Sequence, residues 1–152
     1  MSWNVLIASV TVIFSVLSYV LNRRRELAWR RTEFICTQAQ YFDNDPDLIE
    51  VVRILEGRHS KITVDQIFGA NSPLDSDTST DYKQKFDKMF NFLWRLCYSY
   101  QEVKTLSRKE VEGFGWYFWK ISKSPAVVEY CEDNGYDDIN SVTKKLKLDQ
   151  DD

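Results

Sequence analysis

From Trp3 to Leu21 the chain runs for 19 residues without a charge, a glycine or a proline, and no other feature limits its possible folds so strongly. As a helix the run is about 28 Å long, close to the roughly 30 Å hydrocarbon thickness of a bilayer. Trp3 and Tyr19 lie near its ends, where amphipathic aromatics favour the headgroup layer. The run is read as a transmembrane helix. A cleaved signal peptide would need a basic leading segment and a small-residue cleavage site. Here Met-Ser-Trp-Asn precedes the run and Asn-Arg-Arg-Arg follows it.

Five arginines, Arg23, Arg24, Arg25, Arg30 and Arg31, follow the run with only Glu26 among them. Basic residues stay on the cytoplasmic side, so the N-terminus is expected outside and the remainder in the cytoplasm. Within the run, Asn4, Ala8, Thr11, Ser15, Ser18 and Asn22 are spaced by four and three residues in turn. That spacing forms one small and polar stripe along a helix, suited to close packing against a second helix. The competing reading is that the hydroxyls bond back to carbonyls of their own helix.

The mean hydropathy of -0.42 conceals this segment, because residues 32 to 152 hold 15 basic and 22 acidic side chains. An acidic body lacks the clustered cations that nucleic acid demands, so no nucleic-acid partner is expected. Membrane lipid and a protein partner, or self-association, are. Cys36, Cys97 and Cys131 are widely spaced with no CxxC pair. They are expected to be reduced core residues, pointing to a reducing compartment.

Four parts follow: an anchor over 1-22, a basic juxtamembrane helix over 23-45, a helical cytoplasmic domain over 46-148 and an acidic tail over 149-152. In the juxtamembrane helix Leu27, Phe34 and Tyr41 recur at heptad spacing. Asp45 and Pro46 open a helix that Gly57 ends, and Thr63 with Gln66 forms a capping-box pattern. Residues 71 to 79 read as loop, and a strong helix is expected from about Thr80 to Lys104. Ser107 and Glu110 predict a helix to about Lys123, antiparallel to the preceding one. Ser124 and Pro125 open another, closed by Asn134 and Gly135, and a last helix runs from about Asp138 to Lys147. No segment reads as strand. The expected fold is all-α, an irregular bundle of about five to six helices after the membrane helix. Trp116 and Trp119 lie in an aromatic block that is either central and buried or an exposed partner or membrane-contact patch.

Catalytic motifs are missing. The single histidine, His59, reads as a surface residue, and Asp43, Asp45 and Asp47 imitate a calcium loop but meet Leu48 and Ile54 where glycine and glutamate belong. The Asp75, Asp77 and Asp81 cluster fails at Phe86. Gly113-Phe114-Gly115 lacks the third glycine of a dinucleotide site, and nothing in the sequence pairs Glu110 with Glu129 as acid and base. No catalytic residue, metal or cofactor is expected.

The segment from about Phe86 to Leu146 resembles a bacterial domain-of-unknown-function family of small single-span membrane proteins. The resemblance lies in Phe90-Asn91-Phe92-Leu93, the capped turn before Glu110, the aromatic residues from Trp116 to Trp119, and Pro125 to Tyr136. It implies a helical cytoplasmic domain in a bacterial inner membrane and no activity. The expected function is a non-catalytic membrane-tethered interaction module, with an oligomerising membrane effector or sensor as the alternative. If the stripe mediates self-association, crosslinking between copies will disappear when Ala8 and Ser15 become Leu and persist when Val12 becomes Leu. Equal signals would remove the stripe from consideration.

Overall fold

The computed structural model describes residues 3–69 and 73–148, apart from the side chains of Asn4, Val5, Leu6 and Ala8. Among the described residues the chain forms helices and no strand. It divides into two units, Met1–Gln38 and Ala39–Asp152. The predicted acidic tail, 149-152, lies outside the described residues.

The described part of the first unit belongs to one helix, whose last residues lie in the second unit. α1 runs from Trp3 to Asn44, joining the predicted span and the juxtamembrane helix without a break. Val12, Ile13, Phe14, Val16 and Leu17 are all exposed. At 100° per residue these five cover about 200° of the circumference, and Thr11, Ser15 and Ser18 occupy the remaining arc. Among the described residues no helix is long and apolar enough to cross a membrane. The charge-free run whose side chains are all described, Ser9 to Asn22, is shorter than the roughly twenty residues that a span needs.

The second unit is set out by local caps. α2 (Pro46–Leu55) begins at Asp45, whose carboxylate accepts from the backbone N–H of Asp47 and Leu48, with Pro46 in the first turn. It closes at Gly57, whose φ of 71° places it in the left-handed region that glycine occupies without a Cβ clash. α3 (Val64–Phe68) carries the Thr63 and Gln66 capping box. α4 (Ser76–Gln101) begins four residues before the predicted start. Asp75 accepts from Thr78 N–H at 2.9 Å, so residues that read as loop by composition form the first turn. Asn71 and Ser72 of that predicted loop lie outside the described residues.

The predicted single helix from Ser107 to Lys123 is two helices, α5 (Arg108–Glu112) and α6 (Gly115–Ser122). The chain turns at Phe114, which has φ -104° and ψ 12°. Gly113 and Gly115 each weaken a helix by about 1 kcal/mol relative to alanine, and the turn lets the Phe114 ring meet Phe92 at 5.3 Å. α7 (Pro125–Asp133) ends with Gly135 at φ 81° and Tyr136 N–H bonded to Cys131 O at 2.7 Å, the bond of a Schellman stop. α8 (Asp137–Leu146) follows.

These helices pack around α4. α2, α3, α5 and α8 all contact it, while α6 packs on α7 and α8. Thus α5, rather than one long antiparallel helix, takes up the predicted hairpin against α4. Phe86, Met89, Phe90, Leu93 and Cys97 on α4 are fully buried, as are Leu48 and Val51 of α2 and Ile139 and Val142 of α8, two of the helices laid against it. Phe90 sits among aromatic neighbours, with Phe86, Phe68, Tyr130 and Tyr136 at centroid distances of 5.6 to 6.4 Å.

Replacing Phe90 with Ala should destabilise this unit by roughly 3 to 5 kcal/mol, the transfer and cavity cost of a buried phenylalanine. Urea unfolding followed by circular dichroism measures it. A loss under about 1 kcal/mol would mean that Phe90 is not central.

Candidate interaction surfaces

The charged groups between α2 and α4 form two clusters, one around Lys88 and one around Lys85. Lys88 Nζ lies 2.7 Å from Asp45 and 2.8 Å from Asp47. Lys85 Nζ lies 2.8 Å from Glu50 and 2.9 Å from Asp81. The carboxylates hold both ammonium groups well above the usual lysine range, through the Glu50 hydrogen bond at Lys85 and the Asp45 hydrogen bond at Lys88. Neither lysine is available as a general base or a Schiff-base nucleophile. Asp45 and Asp47, which imitate a calcium loop in sequence, are held by this lysine, and Asp75 caps α4. Among the described residues no group of three potential ligands comes together to hold a metal ion.

His59 corrects the expectation of a plain surface histidine. It is half-buried, and its Nδ1 accepts from Ile62 N–H at 3.1 Å and, at 3.4 Å, from Lys61 N–H. Its Nε2 lies 3.5 Å from Glu50 Oε1. Nδ1 is thereby fixed as an acceptor that holds the turn before α3. The side chain has a structural task that its position beside glycine did not reveal.

The cysteines divide. Cys97 and Cys131 are buried as expected, and burial pushes both thiols up to about 12, so they stay protonated and do not attack substrates. Cys36 is exposed, against expectation, because it lies on α1 where one helix offers no core. The Tyr130 hydroxyl donates to both Asp87 oxygens at 3.0 and 3.2 Å. Burial first, and then this bond, raise the phenol above its usual range, while burial raises the Asp87 carboxyl. The pair ties α7 to α4.

Two surfaces remain. One is a cleft of about 450 Å³ with Phe42, Ile49, Val52 and Tyr117 as its apolar part and Asp43, Arg53, Glu56 and Arg58 as its charged part. Arg58 bonds Glu56 at 3.3 Å, and the Tyr117 ring meets that of Phe42 at 4.6 Å with the planes tilted by 54°. Burial, then Asp43 and Glu56, raise the Tyr117 phenol. Sequence reading missed this cleft, because its walls come from Phe42, α2 and α6, and no local pattern joins them.

The other surface is the outer side of α6. The aromatic block is neither wholly buried nor wholly exposed: Phe118 is at 0% exposure, Trp119 is half-buried and Trp116 is 37% exposed. Lys120 Nζ lies 4.8 Å from the Trp119 centroid and 5.6 Å from that of Trp116. Trp119 Nε1 is buried with no acceptor among the described residues.

On α1, Arg23 and Arg30 share Glu26 at 3.4 and 2.6 Å, and Arg24, Arg25 and Arg31 are exposed. Of the predicted stripe, Thr11 donates to Ile7 O at 3.0 Å and Ser15 to Thr11 O at 2.9 Å. Ser18 and Asn22 are exposed, and the side chains of Asn4 and Ala8 lie outside the described residues.

No family model, curated protein or solved structure matches the chain. The resemblance to a bacterial single-span family therefore rests only on the residues that suggested it.

The Asp45–Lys88 bond makes stability depend on acid. Its hydrogen bond from Lys88, above all, holds the Asp45 carboxyl below the ordinary aspartate value of 3.8. A depressed carboxyl stabilises the fold above its unfolded pKa, and the contribution is lost as pH falls through the folded one. Urea midpoints should fall below about pH 4, and they should fall less in Lys88→Met and in Asp45→Asn, which keeps a cap oxygen. Identical pH profiles would remove the bond from the stability account.

Proposed function

We propose that this chain is a non-catalytic membrane-tethered module, whose N-terminal helix anchors it and whose helical unit binds another protein from the cytoplasmic side of a bacterial inner membrane. The observation that carries this reading is the broad exposed apolar surface of α1 between Val10 and Leu21, which covers about 220° of its circumference and leaves only the stripe of Thr11, Ser15 and Ser18 polar. A water-soluble helix hides its apolar residues against a core, whereas a wide exposed face of large apolar side chains, with only small hydroxyl residues between its edges, suits lipid. The sequence supplies the rest of the support: 19 uncharged residues from Trp3 to Leu21, aromatic residues at both ends and five arginines beyond.

A binding role fits the acid-base state of the helical unit. Its lysines between α2 and α4 are paired with carboxylates, and its two thiols are buried and protonated. The cleft beside Tyr117 offers the apolar floor and charged rim typical of a partner site. Oligomerisation through the stripe has weaker support, since the hydroxyls of Thr11 and Ser15 bond their own helix.

The tether is tested by expressing the chain, washing the membranes with alkaline carbonate and floating them. The protein is expected to stay with the membranes, and a variant with Ile13→Arg and Leu17→Arg is expected to leave them. Release of the native chain by carbonate would overturn the anchor. For the partner site, a photocrosslinking residue at Ile49 should capture a discrete adduct that Val52→Glu abolishes. An adduct indifferent to Val52→Glu would clear the cleft of that role.

A further inference from the structure

The two sides of α6 differ in chemistry. Phe118 and Ile121 are buried, whereas Trp116, Trp119, Lys120 and Lys123 follow at steps of three, one and three, the spacing of a single helical stripe. Lys120 lies over both indoles and Lys123 lies 5.6 Å from the Trp119 centroid. The cations thus sit on the rings and extend the stripe instead of interrupting it.

The surrounding sequence makes this stripe unusual for the chain. Between Glu112 and Glu129 there is no acidic residue, although residues 32 to 152 carry 22 of them. An anionic surface repels most of such a body and is tolerated where acids are missing. On the side of Tyr117, Asp43 and Glu56 come near, but Arg53 and Arg58 line the same cleft. Indoles prefer the headgroup layer of a bilayer, and lysines lay their carbon stems on apolar surface while keeping the ammonium in the polar layer.

We propose that the outer face of α6, formed by Trp116, Trp119, Lys120 and Lys123, docks the helical unit onto an anionic phospholipid surface. The proposal rests on the tethered reading of α1. Anchoring confines the unit to the bilayer surface, so a contact too weak to recruit a free protein is populated by effective concentration. Two indoles and two lysines on a convex helix suit a fluid headgroup layer, which needs no shaped partner. Outward rotation of Trp119 would also give its Nε1–H an acceptor, which it lacks among the described residues.

The test uses the full chain with Trp3, Trp29 and Trp94 changed to Phe, leaving Trp116 and Trp119 as its indoles. It is reconstituted in vesicles of phosphatidylcholine, with or without phosphatidylglycerol, whose acyl chains are brominated near the headgroup. The expected result is quenching of indole emission in the anionic vesicles only. Quenching should be lost in Lys120→Glu/Lys123→Glu, and docking should fall roughly tenfold or more in Lys120→Ala/Lys123→Ala. Absent quenching in anionic vesicles, or equal quenching in the glutamate variant, would overturn the proposal. So would a stripe-dependent dimer in detergent, which would assign the face to a second copy.

If the phenylalanine background loses its helical circular dichroism, hydrogen exchange of residues 113 to 128 in the native chain gives the same reading: slowed by anionic vesicles if α6 docks, unchanged if it does not. Carbonate flotation of the same vesicles separates the two readings. A chain that stays with the lipid but shows no α6 contact refutes docking alone, and a chain that washes off refutes the tether and the docking with it.

Discussion

Phe86, Met89, Phe90, Leu93 and Cys97 line the side of α4 that water does not reach, and α2, α3, α5 and α8 are laid against that helix. Each fully buried side chain of this size contributes roughly 1.5 to 3 kcal/mol by leaving water. The ion pairs of Lys85 and Lys88 at the rim are partly exposed, and such pairs contribute at most about 1 kcal/mol each. The apolar face therefore supplies the stability. The lysines act on direction, holding α2 along α4 in a register where Asp45, Asp47 and Glu50 are all satisfied.

The same packing accounts for the chemical quiet of the interior. Cys97, Cys131, Tyr130, Asp87, Lys85 and Lys88 are of reactive types, but each is held in one protonation or bonding state by its surroundings. Burial keeps the thiols of Cys97 and Cys131 protonated, Asp87 accepts the Tyr130 proton donor, and carboxylates hold the lysines charged. What the fold leaves to the outside is surface: an apolar cleft rimmed by both signs of charge, and a helix face of indoles and lysines.

The sequence made most of the helix ends legible because caps act over three or four residues. Asp45 with Pro46, Thr63 with Gln66 and Asn134 with Gly135 each fall where their types predicted. Misreadings arose where a distant contact overruled a local pattern. The helix after Ser107 breaks at Phe114 because its ring reaches Phe92, a residue on another element. His59 reads as loop decoration until the fold places Glu50 beside it. Cys36 resembles the other two cysteines in sequence, and differs only in lying on a helix with no core around it. Of the interaction surfaces, Trp116 and Trp119 could be named in advance, but not their degree of burial. The cleft beside Tyr117 could not be named at all.

Sequence alone determined the helical class, the placement of stops and the segregation of charge: an uncharged stretch, five arginines after it, an acidic body and one acid-free segment. All of these follow from residue identity and short-range spacing, which exist before the chain folds. Tertiary structure alone decided which aromatics enter the core and which remain outside, which carboxylates capture Lys85 and Lys88, and where an apolar cleft opens. Those outcomes depend on residues tens of positions apart arriving together, and burial is a property of that meeting rather than of any residue in it.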